Sequence, residues 1–204
     1  IAFFSIHRFE QPFLDRANES YHYELAYFDT RLSPSTAISA KGFPVISCFV
    51  TDPLNAEVLQ VLAENGTKLI ALRSAGFNHV DLEAAAQVGL AVVRVPEYSP
   101  YAVAEHAICL ILALNRKIHR AFNRVREGNF SLDGLVGFDL HGKTIGIIGT
   151  GKIGAVMAKI MSGFGCTVLA YDLAPNQELA TKHSVSYVGL SELYRQADII
   201  SLHV

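Results

Sequence analysis

Gly149-Thr150-Gly151-Lys152-Ile153-Gly154 has the spacing G-x-G-x-x-G, and Asp172 follows Gly154 by 18 residues. Such a pattern can cradle a diphosphate. The first glycine permits a tight turn, the second lets bare backbone approach the pyrophosphate, and the third lets a helix pack closely on a strand. The diphosphate would rest on N–H groups at the positive end of a helix dipole. An acid about 20 residues on accepts hydrogen bonds from the hydroxyls of the adenosine ribose. An aspartate there repels a 2′-phosphate, so the pattern predicts NAD(H) in preference to NADP(H). A competing reading is an ordinary tight strand-to-helix turn, with Asp172 capping the next segment of chain.

The motif requires a strand before it and a helix after it. The apolar run 144–148 supplies the strand, and 153–164 has the spacing of a helix. Further strands are expected at 167–171, 185–188 and 198–203. The first hundred residues alternate short apolar runs, at about 1–6, 23–29, 45–51, 67–72 and 91–95, with helical patches. Asp52 with Pro53 predicts the start of a helix over 53–64, which Asn65-Gly66 ends, and Asp81 and Gly89 bracket a shorter one. Gly42, Gly66 and Gly89 stand just before strands, where a left-handed turn is needed. Two prolines in Pro96-Glu97-Tyr98-Ser99-Pro100 mark a boundary between domains at 1–98 and 99–204. Beyond it, Val103, Ala107, Leu110, Ile111, Leu114, Ile118, Phe122 and Val125 predict one long amphipathic helix capped by Ser99. The fold class expected is α/β: a flavodoxin-like N-terminal domain, then a Rossmann-type doubly wound domain, each truncated.

Composition narrows the function. Lys plus Arg number 17 against 19 Asp plus Glu, a net charge of −2, so no positive field is available to hold nucleic acid or an anionic membrane. The basic cluster Arg116, Lys117, Arg120, Arg124 and Arg126 reads as a solvated helix end, because no aromatic residues interleave with it. Hydrophobic residues make up 50% of the chain, as in a packed protein, yet no run is apolar and long enough to span a bilayer. Cys48, Cys109 and Cys166 are far apart and lack metal-ligand spacing, which predicts no metal site and a reducing, cytoplasmic compartment. Apolar runs at both extremes, Ile1 to Phe4 and Ile199 to Val204, predict a longer natural polypeptide.

Four segments taken together resemble the D-isomer-specific 2-hydroxyacid dehydrogenases: Thr144 to Gly154, Arg73 to Asp81, Val95 to His106 and Asn129 to Gly134. Within that family the chain is most similar to members that interconvert pyruvate and D-lactate with NAD. The resemblance implies a substrate carboxylate held by backbone N–H groups at Ala75 and Gly76, and a substrate hydrogen bond from Tyr98. It further implies backbone contacts from Lys152 and Ile153 to the pyrophosphate, an apolar wall from Val103 beside the nicotinamide, and one from Val204 beside the adenine. Val103 and Val204 can also be read as plain core residues. The family's catalytic Arg, Glu and His are expected beyond Val204. None of His7, His22, His79, His106, His119, His141, His183 or His203 matches the catalytic one, and Arg73 matches a structural position. Relatives imply a homodimer. Two alternatives stay open at this point: a sibling acting on bulkier 2-ketoacids, and a non-catalytic NAD(H)-sensing module like the family's transcriptional corepressors.

Overall fold

Short apolar runs bounded by turns become parallel strands throughout the computed structural model, which describes residues 1–204. The chain divides into two compact units, Ile1–Tyr98 and Ser99–Val204. In the first unit the elements are β1 (Ala2–Phe3), α1 (Gln11–Asn18), β2 (Ala26–Tyr27), a 3-10 turn (Ala37–Ala40), β3 (Val45–Cys48), α2 (Ala56–Glu64), β4 (Leu69–Leu72), α3 (Leu82–Gln87) and β5 (Ala91–Arg94). They form one parallel sheet in the order β2-β1-β3-β4-β5, the flavodoxin-like order. Phe4, Ile46, Leu59, Leu62 and Ile70 are fully buried in its core.

The second unit runs α4 (Pro100–Asn115), α5 (Ile118–Arg126), β6 (Thr144–Ile148), α6 (Lys152–Gly163), β7 (Thr167–Tyr171), α7 (Gln177–His183), β8 (Ser186–Tyr187), α8 (Leu190–Gln196) and β9 (Ile199–Leu202). Its sheet order is β8-β7-β6-β9, all parallel, which is the first four strands of the Rossmann arrangement. Ile145, Ile147, Met157 and Met161 fill the space between β6 and α6. In each unit the strand order reverses at one place, between β1 and β3 and between β6 and β9. Ligands of open α/β sheets bind at such reversals, outside the carboxyl ends of the strands.

Local signals explain most of the boundaries. Ser99 Oγ accepts from Ala102 N at 3.1 Å and Asp81 Oδ1 from Ala84 N at 2.9 Å, which start α4 and α3. Gly42, Gly66 and Gly89 all have positive φ, 87°, 94° and 73°.

Three expectations are overturned. Asp52 does not cap α2; Asn55 does, accepting from Val58 N at 3.1 Å, because the Asp52 carboxylate is drawn into the protein. The first strand covers two residues instead of six, since Ser5 turns left-handed (φ 49°) to reach Thr30 and Asp52. The long helix of the second unit breaks at Lys117 (φ 51°) into α4 and α5. The incoming loop causes the break: Asn115 Nδ2 donates to Phe138 O at 2.7 Å and Asn115 Oδ1 accepts from Phe138 N at 2.9 Å, sealing the end of α4. A Cβ on Gly137 would lie 2.5 Å from Asn115 O, so only glycine lets the loop come that close. Two cations of the basic cluster serve this loop as well, Lys117 donating to Val136 O and Arg124 to the carbonyls of Ser131 and Asp133.

The three cysteines are unpaired, and the chain has no group of side chains able to hold a metal ion. Burial, and secondarily the nearby Asp52, pushes the Cys48 thiol up to about 12, so it packs as an inert apolar group. No helix is long and apolar enough to cross a membrane.

Candidate dinucleotide and substrate sites

In the second unit a cleft of about 410 Å³ opens at the carboxyl ends of β6, β7 and β9, lined by Gly149, Gly151, Asp172, Leu173, His203 and Val204 among others. Its floor is the turn from β6 into α6. Gly149 has φ +88°, and a Cβ there would lie 2.5 Å from His203 O; a Cβ on Gly154 would lie 1.9 Å from Gly149 O. Neither position admits any side chain. A Cβ at Gly151 would meet nothing within 4 Å, which leaves open space against the backbone where the cleft runs. Gly151 is the N-cap of the 12-residue α6, whose amino end carries the positive pole of the helix dipole. These features suit a diphosphate.

Asp172 follows the end of β7. Its Oδ1 accepts from Ala174 N at 2.9 Å, and its Oδ2 accepts from Thr150 N at 2.6 Å and Thr150 Oγ1 at 2.9 Å. The Ala174 amide first, then the Thr150 amide and hydroxyl, hold the carboxyl below its ordinary range, so it is ionised at neutral pH. The capping reading of Asp172 therefore holds locally, and the same carboxylate still faces the cleft.

Of the other expected cofactor contacts, Lys152 and Ile153 are the first two residues of α6, and Val204 lines the cleft. Val103 is half-buried on α4, outside the residues that line the cleft. No sequence motif assigns His203 a role; burial lowers its pKa, and its Nε2 lies 2.9 Å from Ser201 Oγ.

In the first unit Ala75, Gly76 and Tyr98 line a second cleft, of about 630 Å³, at the carboxyl ends of β3, β4 and β5. Both loop carbonyls are engaged, Ala75 O by Arg94 Nη1 at 2.8 Å and Gly76 O by Ser74 Oγ at 2.7 Å. The amides of Ala75 and Gly76 donate to no acceptor in the chain, so the loop presents N–H groups to an anion. The cleft walls are largely apolar, with Phe3, Phe49, Val50 and Val95.

Arg73 also lines this cleft, but its guanidinium is committed. Nε donates to Glu10 Oε1 at 3.0 Å, and Nη1 and Nη2 donate to the carbonyls of Ser47, Phe4 and Ser5. It ties three segments together and has little capacity left for a substrate. His79 is not among the lining residues; its buried Nε2 has no partner, and burial lowers its pKa, partly offset by Asp52.

Known proteins share this fold. Residues 108–204 match the model of the D-isomer specific 2-hydroxyacid dehydrogenase NAD binding domain. A 2-hydroxyacid dehydrogenase homolog of Schizosaccharomyces pombe is 55% identical over 204 residues, all of this chain and 61% of the relative. The chain is similar over its whole length to D-isomer-specific 2-hydroxyacid dehydrogenases. D-lactate dehydrogenase of Escherichia coli is 49% identical over 203 residues, again 61% of its length, and its apo structure superposes with a TM-score of 0.94, covering all of this chain and 64% of that one. The Aquifex aeolicus D-lactate dehydrogenase, solved with NAD and lactic acid, is 36% identical with a TM-score of 0.82, covering all of this chain and 60% of that one. The chain thus spans about three-fifths of the length of the relatives it matches. The residues that match the NAD binding domain lie within the second unit.

Proposed function

We propose that this chain forms the substrate-carboxylate loop and the dinucleotide cradle of an NAD-dependent D-lactate dehydrogenase, which reduces pyruvate with NADH and a proton to D-lactate and NAD. One observation carries the reading: the β6–α6 turn excludes side chains at Gly149 and Gly154 and is open at Gly151, beside an ionised Asp172. When bound, the nicotinamide supplies the hydride that the substrate carbonyl carbon accepts. The amino end of α6, with the backbone of Gly151, Lys152 and Ile153, would hold the pyrophosphate, and Asp172 would accept from the ribose. Val204 would flank the adenine, and Val103 would pack on the nicotinamide side. In the first unit the Ala75 and Gly76 amides would hold the substrate carboxylate, and the exposed Tyr98 hydroxyl would donate to the substrate. Holding both reactants in place lowers the barrier by removing their freedom of motion. The polarising Arg, the proton-carrying His and its Glu partner are assigned to residues outside 1–204, because Arg73 is committed and no histidine lines the substrate cleft.

The test is steady-state kinetics of the complete protein with NADH and a series of 2-ketoacids. The expected result is the highest kcat/KM for pyruvate, D-lactate as product, and NADH well preferred over NADPH. A higher kcat/KM for phenylpyruvate or 2-ketoisocaproate would replace the lactate assignment with a bulkier substrate.

The exposed apolar row Leu110, Leu114, Ile118, Phe122 and Val125 supports a homodimer built on α4 and α5. Sedimentation equilibrium should then read twice the chain mass, and Phe122→Glu should halve it. A cytoplasmic location accords with the three unpaired cysteines.

A further inference from the structure

A chain of hydrogen bonds that begins away from the cleft ends on Asp172. The Asn176 backbone N–H, at the N-cap of α7, donates to Tyr187 Oη at 2.9 Å. Tyr187 Oη donates to Thr150 Oγ1 at 2.9 Å, and Thr150 Oγ1 donates to Asp172 Oδ2 at 2.9 Å. The direction is fixed by chemistry. A backbone amide can only donate, so the phenol accepts there and gives its one proton to Thr150, which gives its own to the carboxylate. Thr150 is 5% exposed, so this hydroxyl has little access to water as an alternative partner. Hydrogen bonds in such a series polarise one another. The chain connects three elements that sequence separates: the cap of α7, the edge strand β8 and the turn into α6.

We propose that Tyr187 is a positioning residue for dinucleotide selection: acting through Thr150, its hydroxyl holds the Asp172 carboxylate in place to accept from a ribose hydroxyl and to repel a 2′-phosphate. The proposal rests on the reading of Asp172 as the ribose acceptor. A carboxylate has about four acceptor positions. Thr150 N, Thr150 Oγ1 and Ala174 N hold it from one side, and it still lines the cleft. These donors carry no formal charge, so the carboxylate keeps its full negative charge toward a phosphate. Without the phenol hydroxyl the Asn176 amide loses its acceptor, and the Thr150 hydroxyl is free to turn away from Asp172.

Calorimetric titration of NADH and of NADPH into the complete protein tests this, with melting temperatures measured alongside. Tyr187→Phe is expected to weaken NADH about 5- to 10-fold, as for loss of one hydrogen bond between neutral groups, and NADPH less, so that the preference narrows. Thr150→Val should reproduce that loss and Thr150→Ser, which keeps the hydroxyl, should not. In an Asp172→Asn background Tyr187→Phe should add nothing. An unchanged NADH affinity in a folded Tyr187→Phe protein overturns the proposal, as does an equal loss with and without Asp172, which would mark a structural role alone. A wild-type protein with no preference for NADH would instead overturn the ribose-acceptor reading beneath it.

Discussion

Gly151→Ala is expected to fold as the native chain does and to lose at least about 100-fold in NADH affinity, whereas Gly154→Ala is expected to lose the fold of the cradle itself. The two substitutions add the same methyl group three residues apart, and the structure separates their consequences. At Gly151, with φ −62° and ψ −164°, alanine is unstrained and its Cβ meets nothing within 4 Å. The methyl therefore costs little until a diphosphate must approach that backbone. At Gly154 the Cβ would lie 1.9 Å from Gly149 O and 3.0 Å from Gly149 C, both backbone atoms that no rotamer change can move. The turn would have to open, which shifts Gly149 against His203 and carries β9 with it. Forced overpacking costs typically about 1 to 3 kcal/mol and occasionally more, and a 100-fold loss of affinity corresponds to about 2.7 kcal/mol. Thermal melts with titration of NADH distinguish the two: Gly151→Ala should keep the native melting temperature, and Gly154→Ala should melt lower. A Gly151→Ala protein that bound NADH normally would show that the diphosphate does not lie on this turn.

What can be read from sequence and what cannot divides along the range of the interaction. All nine strands lie within the expected runs, since the signal of a short, largely apolar strand bounded by turns is local. The caps at Asp81 and Ser99 are also local, each made to an amide three residues on. The nucleotide motif is legible because its glycines, helix and acid lie within a span of 24 residues, Gly149 to Asp172. The helix break at Lys117 is hidden, because its cause is the Gly137-Phe138 backbone more than 20 residues later. Nor does any spacing connect Tyr187 to Thr150, 37 positions apart; only the β8-β7-β6 order brings them together. Asp52 misleads for a related reason. The Asp-Pro pair is a good local helix start, but a contact across the fold outweighs it.

That contact gives the second large effect, a fall of about 3 to 5 kcal/mol in stability for Asp52→Ala. The Asp52 residue is fully buried, and its carboxylate accepts from Ser5 Oγ at 2.6 Å, Leu32 N at 2.9 Å and Phe49 N at 2.7 Å. Alanine would leave a hydroxyl and two backbone amides without an acceptor, and each unmet buried group costs about 1 to 3 kcal/mol. At roughly 4 to 8 °C per kcal/mol for a unit of this size, the transition of the first unit should fall by more than about 12 °C. Asp52→Asn separates hydrogen bonding from volume. Its amide oxygen can still serve Ser5 and Leu32, but its NH₂ would face the Phe49 amide, donor against donor. It should therefore destabilise less than alanine and loosen the β3 loop selectively. That loop carries Phe49 and Val50 into the wall of the larger cleft, so Asp52→Asn should raise KM for the 2-ketoacid while leaving NADH affinity unchanged. Equal melting temperatures for Asp52→Ala and the native protein would show that the carboxylate does not hold these three segments together.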